Sequence, residues 1–240
     1  MPKVADAGYL LLDTETAGLD PECNPLLEIG ARVLTPELEK DESVEPFLCF
    51  VKPILAGTSH EDQPVEEIDP MAIKINGHTW VYDKESPEYK RAHDPVEAWV
   101  LFSAWLRENY KLKNYKRIVM AGWNVNFDVK FLKRLFRGWY FNETGGNWSD
   151  DMSYIKLNDY EKRCRWPFHH HSLDLMAASR YLDIRAKIKR KGYRLEYLSK
   201  EMFGGAAELA MHTSLGDSDM SLRVVRSIEQ EYLDVQRKAD

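Results

Sequence analysis

A short apolar run that ends in two carboxylates constrains this chain more than any other feature of its sequence. Tyr9 to Leu12 form the run, and Asp13, Thr14 and Glu15 follow it directly. Alternate side chains of a strand share a face, so Asp13 and Glu15 project together from the polar end of a buried strand. Partly desolvated like charges require a counter-charge, which a divalent cation commonly supplies. The pair alone is weak evidence, because acidic pairs at strand ends are common and usually solvated.

The remaining hydrophobic pattern predicts an antiparallel start followed by strands that alternate with helices. Further strands are indicated at 26–34, 47–51, 117–122 and 171–174, and the polar, proline-containing segment 55–70 is typical of a loop. Helices are indicated at 94–110, where Asp94 is an N-cap before Pro95, and at 126–137, up to 181, and at 215–237. This order predicts an α/β fold with a mixed sheet and helices on its faces.

Composition limits the class of protein. We interpret residues 1–240 as a single domain with an insertion at 142–166, because 44% hydrophobic content is ample for one packed core. The apolar runs are far shorter than the ~20 residues of a membrane span, and the N-terminus lacks an apolar signal segment, so we expect a cytoplasmic protein without a membrane partner. Three widely spaced cysteines indicate neither a disulfide framework nor a zinc site. The net charge of −6 argues against coating long nucleic acids, but leaves binding of one chain end open.

Two further acidic residues lie at predicted helix starts. Asp128 falls in the first turn of the helix 126–137, and Asp217 begins a stripe on the last helix that should face the protein. A helix N-terminus favours a carboxylate, so capping is the simpler explanation for each residue in isolation.

Three separated segments are informative because of the residues they contain and their order along the chain. They are Leu11 to Leu19 (LLDTETAGL), Gly122 to Asp128 (GWNVNFD) and His212 to Asp217 (HTSLGD). Together they resemble the motifs of the DEDDh-type 3′→5′ exonucleases, the family of the DNA polymerase III proofreading subunit, ribonuclease T and oligoribonuclease. Weaker similarities at 26–30, 75–77 and 173–175 occur in the expected order, and the likeness covers about 8–225. It implies an RNase H-like three-layer fold with a mixed five-stranded sheet and helices on both faces.

The resemblance also implies a set of site residues. Asp13, Glu15, Asp128 and Asp217 would hold two Mg²⁺ or Mn²⁺ ions, which prefer oxygen ligands. His212 would be the general base, since the pKa of imidazole lies near neutral pH. Ala17 departs from the family, which often has Thr there, and this would weaken one polar contact to the terminal nucleotide. The implied substrate contacts are Thr14, Thr16, Leu19, Asn124 and Phe127, with ordinary packing as an equal alternative for Phe127.

We therefore expect a metal-dependent 3′→5′ exonuclease that hydrolyses phosphodiester bonds at the 3′ end of nucleic acid, with single-stranded DNA favoured and a DNA polymerase or replication protein as partner. The polarity rests on the resemblance, because the carboxylates would serve an endonuclease equally well. A 3′→5′ exoribonuclease or oligoribonuclease is one alternative, since no motif separates tolerance of the 2′-hydroxyl from its exclusion. A non-catalytic polymerase-associated binding module is another. Such a module would be expected to lack one of the acidic residues or the histidine, and this sequence retains all of them. The sequence does not predict an oligomeric state.

Two other patterns are explained more simply without a ligand. The basic run 185–194 is more often a solvated face than a phosphate contact. His169, His170 and His171 are consecutive, and side chains of an extended segment alternate between faces, so we expect a structural loop rather than a metal site.

Overall fold

The computed structural model describes residues 8–55, 65–110, 118–144, 166–204 and 213–239, with the backbone alone at 140–144 and 239. The described strands are β1 (Gly8–Thr16), β2 (Leu26–Leu34), β3 (Phe47–Phe50), β4 (Ile118–Gly122) and β5 (Leu173–Asp174). The described helices are α1 (Pro70–Asn76), α2 (Pro87–Arg91), α3 (Pro95–Asn109), α4 (Asn126–Thr144), α5 (Leu175–Ala186), α6 (Leu195–Phe203) and α7 (Ser214–Ala239), and one 3₁₀ turn spans Thr79–Tyr82.

The five strands form one mixed sheet in the order β3-β2-β1-β4-β5. The pairs β1–β2 and β2–β3 are antiparallel, whereas β1–β4 and β4–β5 are parallel. The antiparallel start and the later strands between helices were both predicted from the sequence, and the predicted α/β class is confirmed. The central position of β1 places its C-terminal end, with the two carboxylates, at the middle of one sheet edge.

Alternation along β1 separates two cores. Leu10 and Leu12 belong to a large aromatic core that contains Phe102 of α3 and Phe131 of α4. Leu11 points the other way, into a cluster that contains residues of α5 and α7. Helices therefore cover both faces of the sheet, which confirms the predicted three layers.

Several helix boundaries differ from the predicted ones. Asp94 caps α3 as expected, and its carboxylate accepts from the backbone N–H groups of Val96 and Glu97. The predicted helices ending at 137 and 181 continue to Thr144 and Ala186. No proline lies near either predicted end, and α4 accommodates the one glycine there, Gly138. The short helices α1 and α2 were not predicted, although each begins with the same signal of a capping residue before proline.

The longest helix is α7, with 26 residues, and it is charged along much of its surface. In the parts of the chain that the structure describes, no helix combines the length and the apolar character that crossing a bilayer requires. The predicted insertion at 142–166 begins within the last residues of α4, and 145–165 lies outside the described residues.

Candidate metal centre

Three carboxylates from two distant parts of the chain meet at the C-terminal end of β1. Asp13, Glu15 and Asp217 each contribute one carboxylate oxygen, and these oxygens lie within 4.8 Å of one another. Asp13 and Glu15 lie on the same face of β1 as Leu11, which packs toward α7, and Asp217 lies in the first turn of that helix. An all-oxygen donor set of this kind fits a hard divalent cation such as Mg²⁺ or Mn²⁺.

The cluster repels itself electrostatically. Burial raises the pKa of Asp13 well above its usual value, and the charges of Asp128, Glu15 and Asp217 raise it further. Burial also raises the pKa of Glu15 to about 8, with Asp217 the strongest of the charged neighbours that add to the effect. The most influential charges around both groups are thus other carboxylates, and a bound cation would relieve this repulsion.

Asp128 approaches the cluster from the other helical layer. β4 ends at Gly122 while β1 continues to Thr16, so the end of β1 extends beyond its parallel neighbour. Beyond the end of β4, a side chain takes the place of the neighbouring strand: Asp128 Oδ1 accepts from the backbone N–H of Thr14 at 2.9 Å and from the Thr14 hydroxyl at 2.6 Å. The side chain is 3% exposed, and burial raises its pKa to about 7 although the Thr14 bonds act in the opposite direction. Asp128 therefore lies beside Asp13 but outside the group of three close oxygens.

A tight turn between β4 and α4 aims Asp128 at β1. A Cβ atom on Gly122 would lie 2.5 Å from the Leu12 carbonyl oxygen, so only glycine allows this approach. Asn124 then adopts a left-handed backbone conformation, with φ of 58°, and its N–H donates to Asp174 at 3.3 Å. Asp174 also caps α5 through the N–H groups of Met176 and Ala177. One carboxylate thus ties the turn that carries Asn124 to the neighbouring helix.

The predicted substrate contacts divide into two groups. Leu19 is 82% exposed and Asn124 is exposed, so both are open to a ligand. Phe127 is half-buried, and its ring lies 5.0 Å from that of Phe131, which agrees with the packing alternative for this residue. Thr14 and Thr16 are buried, and their hydroxyls donate to Asp128 and to the Gly18 carbonyl. Both hydroxyls therefore have internal partners, and the substrate contact of these two residues stays a prediction.

The departure at Ala17 has a structural reason. Ala17 is fully buried in an apolar cluster with Leu27, Ile73 and Trp80. A methyl group fits this environment, whereas a hydroxyl there would need its own buried partner.

Sequence reasoning missed two residues beside the cluster. Asn76 ends α1, donates to the Thr16 carbonyl at 3.0 Å, and forms a side-chain hydrogen bond that lowers the pKa of Glu15. Glu28 pairs with Glu15 across β1 and β2 and is 1% exposed. A signal for Glu28 was present, because it is the one acidic residue inside the otherwise apolar run LLEIGARVL. Asn76 lies in a segment with only weak similarity to the family.

His212 lies outside the described residues, so its predicted role as the base stays a prediction. The described helix α7 begins at Ser214, two residues later.

The histidine run and the basic run both differ from what the sequence predicted, the first in the direction of its side chains and the second in the burial of Arg190. The rings of His169, His170 and His171 lie 4.0–5.2 Å apart between centroids, so the predicted alternation to opposite faces is wrong. They nevertheless do not form a close metal-ligand group in the described ranges, where the acidic cluster alone does so. In the basic run, the Arg190 side chain is 5% exposed and paired with Asp183, so it is not available to a phosphate.

Two curated proteins resemble the chain in sequence. The PolC-type DNA polymerase III of Thermotoga maritima is 28% identical over 180 residues, which cover 69% of this chain and 11% of that protein. The PolC-type DNA polymerase III of Mycoplasmopsis pulmonis is 25% identical over 134 residues, which cover 56% of this chain and 7% of that protein. The chain therefore spans about a tenth of the length of these relatives. No protein-family model matches the chain.

Solved structures show the fold. Escherichia coli exonuclease I in complex with a dT13 oligonucleotide superposes with a TM-score of 0.60 at 15% identity, over 97% of this chain and 43% of that one. The zinc-bound form of an exonuclease I complex with single-stranded DNA gives 0.58 at 16% identity, over 95% of this chain and 42% of that one. The likeness to exonuclease I establishes an RNase H-like α/β fold. With the similarity to PolC-type DNA polymerase III, it confirms that the chain resembles the DEDDh-type 3′→5′ exonucleases.

Proposed function

We propose that this chain is a metal-dependent 3′→5′ exonuclease that acts on single-stranded DNA. The observation that carries the proposal is the convergence of Asp13, Glu15 and Asp217, with their carboxylate oxygens within 4.8 Å of one another. Such mutual repulsion is unfavourable without a cation, and chemistry is the usual reason to maintain it. These similarities support the same activity, since the similar proteins are a PolC-type DNA polymerase III and an exonuclease solved with a DNA oligonucleotide.

The three clustered carboxylates and Asp128 would hold two Mg²⁺ or Mn²⁺ ions. Such ions, when bound, activate a water molecule and stabilise the leaving oxygen of a phosphodiester. The protein prepares the ligands: Thr14 holds Asp128 with two hydrogen bonds, and Asn76 donates to Glu15. Because the pKa values of Glu15 and Asp128 are raised to about 8 and about 7, metal binding near neutral pH would release protons from these groups.

His212 would take the proton from the attacking water. In the sequence it lies five residues before Asp217 and two before the start of α7. A neutral imidazole accepts a proton near pH 7, which suits a general base.

The terminal nucleotide would lie against exposed side chains around the cluster. Leu19 protrudes from the turn after β1 and offers an apolar surface to the terminal base, while Asn124 offers an amide to its polar edge. These contacts would place the last phosphodiester, rather than an internal one, at the carboxylates. A DNA polymerase is the proposed partner, because both relatives are polymerases of which this chain matches a small part.

The test is degradation of 5′-labelled oligonucleotides: single-stranded DNA, duplex DNA and RNA, each with Mg²⁺, Mn²⁺ or EDTA. We expect a ladder of single-stranded DNA that shortens from the unlabelled 3′ end and stops with EDTA. Activity that persists in EDTA would contradict the metal assignment, and faster shortening of RNA would favour an exoribonuclease.

One helix provides a matched pair of variants for this assay. Asp217→Asn removes a clustered carboxylate, whereas Asp219→Asn removes a carboxylate that pairs with Arg32 at 2.8 Å and Lys40 at 2.9 Å. We expect Asp217→Asn to lose activity and Asp219→Asn to keep it. Equal losses in both variants would mean that α7 matters only for the fold.

A further inference from the structure

A buried glutamate attaches the start of α7 to the sheet. Oε1 of Glu28 accepts from the backbone N–H of Ser214 at 2.9 Å and from its hydroxyl at 2.5 Å. Glu28 is 1% exposed and Ser214 is fully buried. A Cβ atom on Gly30 would lie 2.3 Å from the Ser214 hydroxyl oxygen, so glycine at this position allows the helix to approach β2.

This attachment lies directly beside the carboxylate cluster. In the register of β1 and β2, Gly30 is opposite Asp13 and Glu28 is opposite Glu15. Asp217 follows Ser214 by three residues, which is less than one helical turn. The two residues of β2 that position Ser214 therefore also flank the two carboxylates that Asp217 must meet.

His78 lies on the other side of the same glutamate. Its Nε2 lies 3.4 Å from Oε2 of Glu28, and its Nδ1 accepts from the indole N–H of Trp80 at 3.2 Å. Because Nδ1 is an acceptor, a neutral His78 ring carries its proton on Nε2. The ring also meets Phe50 edge-on, with 6.2 Å between centroids, so its orientation is fixed by packing.

Burying a carboxylate is expensive, and an apolar residue would pack at lower cost, but it could not accept both hydrogens of Ser214. We propose that Glu28 is a positioning residue, which sets the place of Asp217 in the metal centre by binding the first residue of α7. This inference rests on the proposed function, since it presumes that Asp217 is a metal ligand. Glu28 acts through Ser214, and its Oε1 is already occupied by two donors.

The test is Mn²⁺ affinity of the full chain, measured by titration calorimetry without nucleic acid. Glu28→Ala should weaken Mn²⁺ binding about tenfold, which is typical for loss of a group that orients a ligand. Glu28→Gln should restore affinity to within about threefold of the parent, because an amide oxygen still accepts from Ser214. If instead Glu28→Gln is as weak as Glu28→Ala, the charge is what matters and the positioning role is overturned.

The same substitution in the Asp217→Asn variant distinguishes an action through Asp217 from a general effect on Mn²⁺ binding. Combined with Asp217→Asn, Glu28→Ala should weaken Mn²⁺ binding little further, because the ligand that it positions is already lost. Fully additive losses would overturn the proposal. Ser214→Ala keeps the Glu28 charge and removes one of the two bonds, so it should weaken binding about threefold even if Glu28→Ala does not fold, and unchanged binding would count against the proposal.

Glu66 provides the matched control. It is also buried, accepts the Ile54 N–H at 2.7 Å and pairs with Arg134 at 2.8 Å, outside the cluster. Glu66→Gln should lower thermal stability and leave Mn²⁺ affinity unchanged; an equal loss of affinity would overturn the specific role of Glu28. If the parent chain binds no Mn²⁺, the proposed function fails, whereas a parent that binds Mn²⁺ and hydrolyses DNA with an unaffected Glu28→Ala variant defeats this inference alone.

Discussion

Buried or half-buried carboxylates occur in two regions of this molecule, and their neighbours differ in charge. Asp183 on α5 is 1% exposed and accepts two hydrogen bonds from Arg190, at 2.7 and 3.2 Å, and one from the Tyr193 hydroxyl at 2.9 Å. Arg190 also pairs with Glu231 of α7. Asp13 and Glu15, by contrast, have other carboxylates as their strongest charged neighbours.

The neighbouring charges indicate a different role for each region. An arginine neutralises Asp183 permanently and joins α5 to α7, so that region contributes to stability. The cluster at the end of β1 keeps its repulsion, which an exchangeable cation can relieve when it binds. Removing one carboxylate should therefore have opposite consequences in the two regions.

The largest expected effect is that of Asp13→Asn. Hydrolysis should fall at least ~10³-fold, because a metal ion supplies several kcal/mol of transition-state stabilisation. The metal-free protein should be as stable as the parent or slightly more so, since burial and repulsion by neighbouring carboxylates raise the pKa of Asp13 and the neutral amide avoids both costs. Single-turnover rates and urea unfolding in EDTA measure the two quantities. A variant that hydrolyses normally, or that unfolds much more easily, would remove the distinction between the regions.

His212→Ala tests the chemistry without altering the carboxylates. We expect the single-turnover rate to fall by about 10²- to 10⁴-fold, with little change in oligonucleotide affinity, because a general base acts on the attacking water rather than on binding. A large loss of affinity at an unchanged rate would assign His212 to substrate binding instead.

Asp183→Asn is the counterpart of Asp13→Asn in the stabilised region. It should lower the free energy of unfolding by about 3 kcal/mol, because Arg190 loses its buried partner, while activity at 25 °C is retained. Urea denaturation provides the first value and the oligonucleotide assay the second. Asp234→Asn, in an exposed pair with Arg237, is the control and should cost less than about 0.5 kcal/mol.

The smallest effect is a pH dependence confined to the cluster. The pKa of Glu15 is raised to about 8, whereas an unfolded glutamate titrates near ~4.3. Between these values the folded state binds more protons than the unfolded state, so the stability of the metal-free protein should fall as pH rises from ~4.5 to 8. In Glu15→Gln we expect this loss of stability with rising pH to be smaller by about 1 to 2 kcal/mol, a value that allows for the partial solvent exposure of Glu15. Identical pH profiles of the two proteins in EDTA would contradict the electrostatic picture.

Much of the frame was accessible from the sequence because local patterns determine it. The bounds of β2 were predicted correctly, since its apolar run is bordered by polar segments. Asp94 before Pro95 correctly predicted the start of α3. The three carboxylates of the cluster were each marked by position: two on one strand face, and one at the start of an inward-facing helix.

The rest depends on contacts between remote residues. Thr14 lies 114 positions from the Asp128 oxygen that it binds, and Ser214 lies 186 from Glu28, so no local pattern shows either bond. The three histidine rings converge because the loop before β5 is not a regular strand, which the rule of alternation assumes.

The central claim is that the clustered carboxylates bind cations. Anomalous diffraction from crystals grown with Mn²⁺ tests it most directly. We predict two peaks about 3.5 to 4 Å apart, bordered by Asp13, Glu15, Asp128 and Asp217. Absence of peaks there, with Mn²⁺ found at the histidine run or nowhere, would contradict it.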